Sequence, residues 1–142
     1  MNVQSILQRK GSEVATISSA TDVCDAVRVL AERRIGALVV SADGRGIDGI
    51  ISERDIVGVA ASGALDGVTV GDVMSTDVVT CTAGDGIDRL MALMTERRIR
   101  HLPVADDAGQ LAGIISIGDV VKARLTELEH ENRALSDYIS GR

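Results

Sequence analysis

At 142 residues the chain is about as long as one ordinary domain, and its 45% hydrophobic content suffices for a core, yet aromatics amount to 1%, a single Tyr138. The core must therefore be aliphatic, with methionine, and base stacking on aromatic rings is excluded as a binding device. A formal net charge of −6 argues against a broad DNA or RNA footprint, so no nucleic-acid partner is expected.

Residues 1–13 form a lead-in in which residues 2–9 read as a short helix burying Val3, Ile6 and Leu7, without the apolar run of a secretory signal. A first repeat follows at residues 14–61. Val14–Ser18 is extended, and the next segment places Val23, Ala26, Val27 and Leu30 at helical spacing. Asp22 stands near its start, where a side-chain oxygen can cap free backbone N–H groups, and the helix is expected to stop around Arg34. Ala37-Leu38-Val39-Val40, an Asp- and Gly-rich turn over 41–46 and Ile47–Ile51 make a hairpin. Ser52 opens a second helix.

Residues 62–77 are a glycine-containing linker with one helical turn expected at Val70–Met74. A second repeat then runs over 78–124 in the same order, with Val78–Thr82 extended, Ile87, Leu90, Met91 and Met94 on a helix opened near Asp85, Leu102-Pro103-Val104 and Leu111–Ile115 as strands, and Ser116 at a helix start. Pro103, lacking an N–H, belongs at a strand start or edge. The final piece, residues 125–142, extends the last helix.

Residues 14–57 align without a gap onto 78–121 at an offset of 64; ERRI recurs at Glu32–Ile35 and Glu96–Ile99, and GIIS-x-x-D at Gly49–Asp55 and Gly113–Asp119. Each half is too small to bury much apolar surface alone, so two β-α-β-β-α units sharing a pseudo-twofold axis are expected, an α/β (α+β) fold with sites in pairs.

Ser52-x-x-Asp55 and Ser116-x-x-Asp119 have two readings. In one, each is a capping box that satisfies the start of its own helix. In the other, the carboxylate accepts hydrogen bonds from the neighbouring hydroxyls of a ribose, with the helix N-terminus available to a phosphate. The pairs Arg33-Arg34 and Arg97-Arg98 likewise either complement helix C-termini or turn guanidinium forks toward phosphate oxygens.

These residues resemble tandem cystathionine-β-synthase (CBS) domains, the paired unit called a Bateman module, through RRI-x-x-L-x-V, GIIS-x-x-D and the linker phrase Val70-Gly71-Asp72-Val73-Met74-Ser75. The resemblance covers nearly everything up to about residue 124. It implies two clefts between the repeats, each taking an adenine-bearing ligand, with AMP, ADP, ATP or NAD(H) as candidates. It places Asp55 and Asp119 on ribose hydroxyls, Ser52 and Ser116 beside ribose or phosphate, and backbone around Val14–Thr16 and Val78–Thr80 on the adenine edge. Ile35 and Ile99 would pack on the adenine faces, Arg33, Arg34, Arg97 and Arg98 would meet phosphate, and Pro103 would lie beside the ligand. A cleft is expected to combine the first strand of one repeat with the Ser-x-x-Asp of the other.

The clefts are not expected to be equivalent. Repeat one has Glu53-Arg54 between Ser and Asp, and Arg54 adds a cation; repeat two has Ile117-Gly118, which lets backbone approach closely, and Arg100-His101 in place of Gly36-Ala37. His101 is either a pH-sensitive phosphate contact or a partly buried histidine donating to a backbone carbonyl.

No nucleophile with an adjacent base, metal-ligand cluster or GxxxxGKS loop appears, so no catalysis, catalytic cofactor or metal is expected. Cys24 and Cys81 lack metal or redox spacing and suit a reduced compartment. With no run of about 18 apolar residues, a cytoplasmic protein without a membrane partner is expected.

Val121, Leu125, Leu128, Asn132, Leu135 and Ile139 follow a heptad seam, with Asn132 at an a position and Arg124 and Glu129 at flanking g and e positions. That seam either packs back onto the repeats of its own chain or a partner or joins two copies, and the disc-like dimers common among CBS pairs point to a homodimer. The sequence thus suggests a regulatory sensor acting on an enzyme or transporter, against an adaptor that works through protein contacts alone.

Overall fold

The computed structural model describes residues 1–141. In chain order the elements are α1 (Val3–Lys10), β1 (Thr16–Ile17), α2 (Val23–Arg33), β2 (Ala37–Val40), β3 (Gly49–Ser52), α3 (Glu53–Ser62), α4 (Val70–Val73), α5 (Ile87–Arg97), β4 (His101–Ala105), β5 (Leu111–Ser116) and α6 (Ile117–Ile139). In repeat one, β1 lies parallel to β2, and β2 pairs antiparallel with β3 from Ala37 opposite Ser52 to Val40 opposite Gly49. All four β2 residues are buried, as expected of a strand covered on both faces. Ile17, Leu38, Val40 and Ile51 meet Val23, Ala26, Leu30 and Ile56 in one core, and their counterparts Cys81, Leu102, Val104 and Ile115 meet Ile87, Leu90, Met94 and Val120 in a second.

The repeats differ at one strand, and Pro103 is the physical cause. In repeat one the Val39 N–H donates to the Ala15 carbonyl at 3.3 Å. Its counterpart, Pro103, has no N–H to give Val79. The first strand of repeat two consequently shrinks to an isolated bridge, Cys81 to Val104. Pro103 stands mid-strand rather than at the start or an open edge of β4: its nitrogen side is turned from β5 toward the first extended segment of repeat two, where its carbonyl accepts from Cys81 N–H at 3.0 Å.

Helices α1 and α4 play the same part for opposite repeats. Val3 N–H donates to Asp85 O at 2.9 Å and Val70 N–H to Thr21 O at 2.8 Å, equivalent bonds one repeat apart. Each helix thus precedes one repeat in sequence and completes the core of the other, with Val3 and Ile6 in the second core and Val70 in the first. Gly49 and Gly113 make that docking possible. A Cβ on Gly49 would lie 2.8 Å from both the Met74 sulfur and the Ser75 carbonyl oxygen, and one on Gly113 would lie 2.8 Å from a Leu7 methyl.

Helix starts follow the sequence with one exception. The Asp22 carboxylate accepts from Cys24 N–H at 2.8 Å and caps α2. Asp85 does not cap α5: Gly86 is the N-cap residue, and Asp85 accepts from Thr82 N–H at 2.9 Å and pairs with Arg89 at 3.4 Å. The preceding turn competes successfully for that carboxylate.

Candidate functional site: a groove between the repeats

Both Ser-x-x-Asp segments form complete capping boxes. Ser52 Oγ accepts from Asp55 N–H, and Asp55 Oδ2 accepts from Ser52 N–H at 2.9 Å and Ser52 Oγ at 3.0 Å. Ser116 and Asp119 repeat the box. Capping consumes only one oxygen of Asp55. Its Oδ1 receives no donor from the described residues and remains free for a ligand.

Around Asp55 lies a groove of about 430 Å³, lined by both repeats. Repeat one contributes Ser52, Glu53, Arg54 and Asp55; the other wall includes Val78, Val79, Ile99 and Pro103. The structure therefore combines the Ser-x-x-Asp of one repeat with the first extended segment of the other. The missing Pro103 N–H matters here, because Val79 keeps a carbonyl oxygen without its strand partner on the groove wall.

Arg54, Arg98, Arg100 and His101 supply the groove's basic side, and Arg54 Nη1 donates to the Arg98 carbonyl at 3.2 Å, joining the repeats. Arg98 and its counterpart Arg34 cap α5 and α2 in the left-handed conformation, each at φ 54°. For a residue with a Cβ this backbone is strained, and glycine is its usual occupant. Arg33 and Arg97, the last helical residues, are exposed and do not line the groove.

His101 packs against Gly36 of the other repeat, where a Cβ would come within 3.0 Å of the imidazole. Burial pushes its pKa below the usual value, with Glu53 partly opposing, so the ring is neutral near pH 7. It donates to no backbone carbonyl among the described residues. The hydrogen bond expected from sequence is absent because Gly36 leaves room for ring packing instead.

Val14, Thr16, Arg34, Ile35, Ser116, Gly118 and Asp119 are the counterparts in the other half and line no part of this groove; Thr80 also stays outside it. Ile35 packs against the first core. Asp119 is engaged differently from Asp55: its Oδ2 accepts from Lys10 Nζ at 2.7 Å as well as from Ser116 N–H at 2.9 Å. Burial raises the Asp119 pKa, but the bonds from Lys10 and Ser116 outweigh it and hold the carboxyl below the usual aspartate range.

Sequence reasoning missed Gly36, Ile50, Glu53, Ser75, Asp77 and Ile117 as groove residues. Ser75 and Asp77 follow α4, and only the crossing of α4 to repeat one brings them there. Among the described residues no cluster of three or more His, Cys, Asp or Glu is placed to hold a metal, and no helix is long and apolar enough to cross a membrane. Cys81 is buried, and its thiol is pushed up to about 12 by that burial.

The sequence matches the family model for the CBS domain twice, over residues 3–62 and 70–126. It is 39% identical over 125 residues to the CBS domain-containing protein CBSX3, mitochondrial, of Arabidopsis thaliana, covering 84% of this chain and 60% of that one. It is 32% identical over 105 residues to an inosine-5′-monophosphate dehydrogenase of Nitrosopumilus maritimus, of which it spans only 21%, with 74% of this chain covered. Among solved structures, the CBS-domain protein ATU1752 of Agrobacterium tumefaciens superposes with a TM-score of 0.81 at 45% identity, covering 87% of this chain and 92% of that one. The CBS pair of protein MJ0100, solved with 5′-methylthioadenosine and S-adenosyl-L-methionine, shares the fold at 23% identity with a TM-score of 0.80, covering 89% of this chain and 98% of that one. Two matched segments, two cores built from equivalent residues and the crossed lead-in helices agree: the chain belongs to the CBS-domain family, as a tandem pair forming the non-catalytic regulatory unit known as a Bateman module.

Proposed function

We propose that this chain is a sensor that takes an adenosyl-bearing molecule, with AMP, ADP, ATP and NAD(H) as candidate forms, in the groove at Asp55 and passes a change in repeat placement to a partner enzyme or transporter. The observation that carries this reading is the free Oδ1 of Asp55, held at a helix N-terminus inside a groove that also presents three arginines. A ribose diol donates to that oxygen, the unpaired Val79 carbonyl accepts from an adenine amine, and Ile99 covers the ring. The MJ0100 pair supports the ligand class, since it was solved with two adenosyl compounds. Arg54 ties Ser52-x-x-Asp55 to the end of α5, so a phosphate drawing Arg54 away loosens one link between repeats. A ligand shifts that arrangement only through unequal affinity for its two forms.

The test is AMP-dependent thermal stabilisation of the wild type against Asp55→Asn. Ser52 remains the N-cap and the Asn amide oxygen can still accept from Ser52 N–H, so the protein without ligand should melt nearly as before, while loss of the charge-assisted bonds weakens AMP binding by roughly tenfold or more. Undiminished stabilisation of the variant would refute Asp55 as the anchor.

A second reading, an adaptor working through protein contacts, draws on α6. The fully buried residues of this helix end at Ala123, the Met1 ammonium still meets Glu127 at 3.2 Å, and Leu125, Leu128, Leu135 and Ile139 are exposed. The two readings combine if α6 joins two copies through its heptad seam. Arg124 is engaged within its own chain, by Glu127 at 3.0 Å, and a bond to a partner's Glu129 would compete with that.

A further inference from the structure

The two halves close the outer edge of their last strand by different means. After α4 the chain leaves the helix at Met74 and runs alongside β3, where Ser75 N–H donates to Ile50 O at 2.9 Å and Ile50 N–H to Ser75 O at 3.0 Å. Helix α1 instead continues to Lys10, so no such extended segment runs beside Ile114, the counterpart of Ile50. Its lysine takes over: Nζ donates to the Ile114 carbonyl at 2.9 Å and to Asp119 Oδ2 at 2.7 Å. The counterpart of Lys10, counted from the equivalent pair Val3 and Val70, is Asp77, which has no cation to place on Asp55.

We infer that Lys10 is a selector between the two Ser-x-x-Asp positions: its ammonium occupies the Asp119 carboxylate, the counterpart of Asp55, as an internal cation, so that the chain takes one adenosyl ligand, at Asp55. This rests on the reading of the Asp55 groove given above. Asp119 Oδ1, like Asp55 Oδ1, receives no donor from the described residues, but the Lys10 ammonium 2.7 Å from Oδ2 already neutralises that carboxylate through a charge-assisted bond, about twice as strong as a neutral one, and so weakens it as an acceptor for an arriving hydroxyl. At Asp55 the hydroxyl meets a carboxylate to which no cation of the described residues is bonded. Removing the ammonium uncovers Asp119 without touching the Asp55 groove.

The experiment is equilibrium dialysis of radiolabelled AMP against the full chain. Wild type should take up one equivalent, Lys10→Met two, Lys10→Arg one, because a cation is restored, and Lys10→Met/Asp119→Ala one again. The retained equivalent at Asp55 reports that each variant is folded. Two equivalents in the wild type, or one in Lys10→Met, would overturn the selector while leaving the Asp55 site intact. No uptake by any of these proteins would overturn both the site and the selector.

Discussion

Arg98 shows how a single backbone angle separates stability from function. At φ 54° an L-residue is strained, so selection for stability alone favours glycine there. Arg98→Gly should leave stability unchanged or raise it by up to about 1 kcal/mol, while weakening AMP binding roughly tenfold by loss of a charged donor. Calorimetry and titration on one preparation check both; a variant that loses stability and keeps its affinity contradicts the assignment. The Lys10–Asp119 pair makes a second prediction, on pH. Because the folded carboxyl titrates below its ordinary value, its contribution is complete above about pH 4 and is lost as pH falls through the folded value. The difference in melting temperature between wild type and Lys10→Met should therefore narrow between pH 7 and pH 3. A constant difference would mean that only the Ile114 hydrogen bond matters.

At the scale of elements, the two glycines under α4 and α1 should not respond alike. A methyl on Gly49 meets the Ser75 carbonyl oxygen, which is backbone and cannot step aside, whereas on Gly113 it meets only the end of a leucine side chain. Gly49→Ala should cost about 1–3 kcal/mol and Gly113→Ala less, measured by urea unfolding. Equal costs would contradict the docking described. Here the limits of sequence are also visible. The helices, hairpins and Ser-x-x-Asp boxes were legible because each rests on a local pattern: apolar spacing, a turn, a cap three residues from its partner. The equivalence of α1 and α4 was not, because Val3 and Val70 stand 67 residues apart while the repeats are offset by 64, and the two helices share hardly any sequence. Lys10 on Asp119 was missed for the same reason, since a contact across 109 residues leaves no local trace. Asp85 was read as a cap because position alone does not reveal that Thr82 N–H competes for it.

For the whole molecule, two apolar features call for different partners. The groove is enclosed by both repeats and suits a small ligand, whereas α6, about 35 Å long at 1.5 Å per residue, carries its seam into solvent. A single helix of that composition is marginal alone, and the proposed pairing of two copies through Leu128 and Leu135, with Asn132 fixing register, would supply the missing burial. Sedimentation velocity should show a dimer at micromolar concentration that Leu128→Asp/Leu135→Asp converts to monomer; a monomeric wild type contradicts this. The account as a whole stands on occupation of the Asp55 groove by an adenosyl group. Titrating AMP into isotopically labelled protein and following the backbone amides tests it most directly. Saturable shifts concentrated at Ser52–Asp55, Val78–Val79 and Arg98–His101 are the predicted result, and a spectrum in which those amides stay still while the protein remains folded would contradict it.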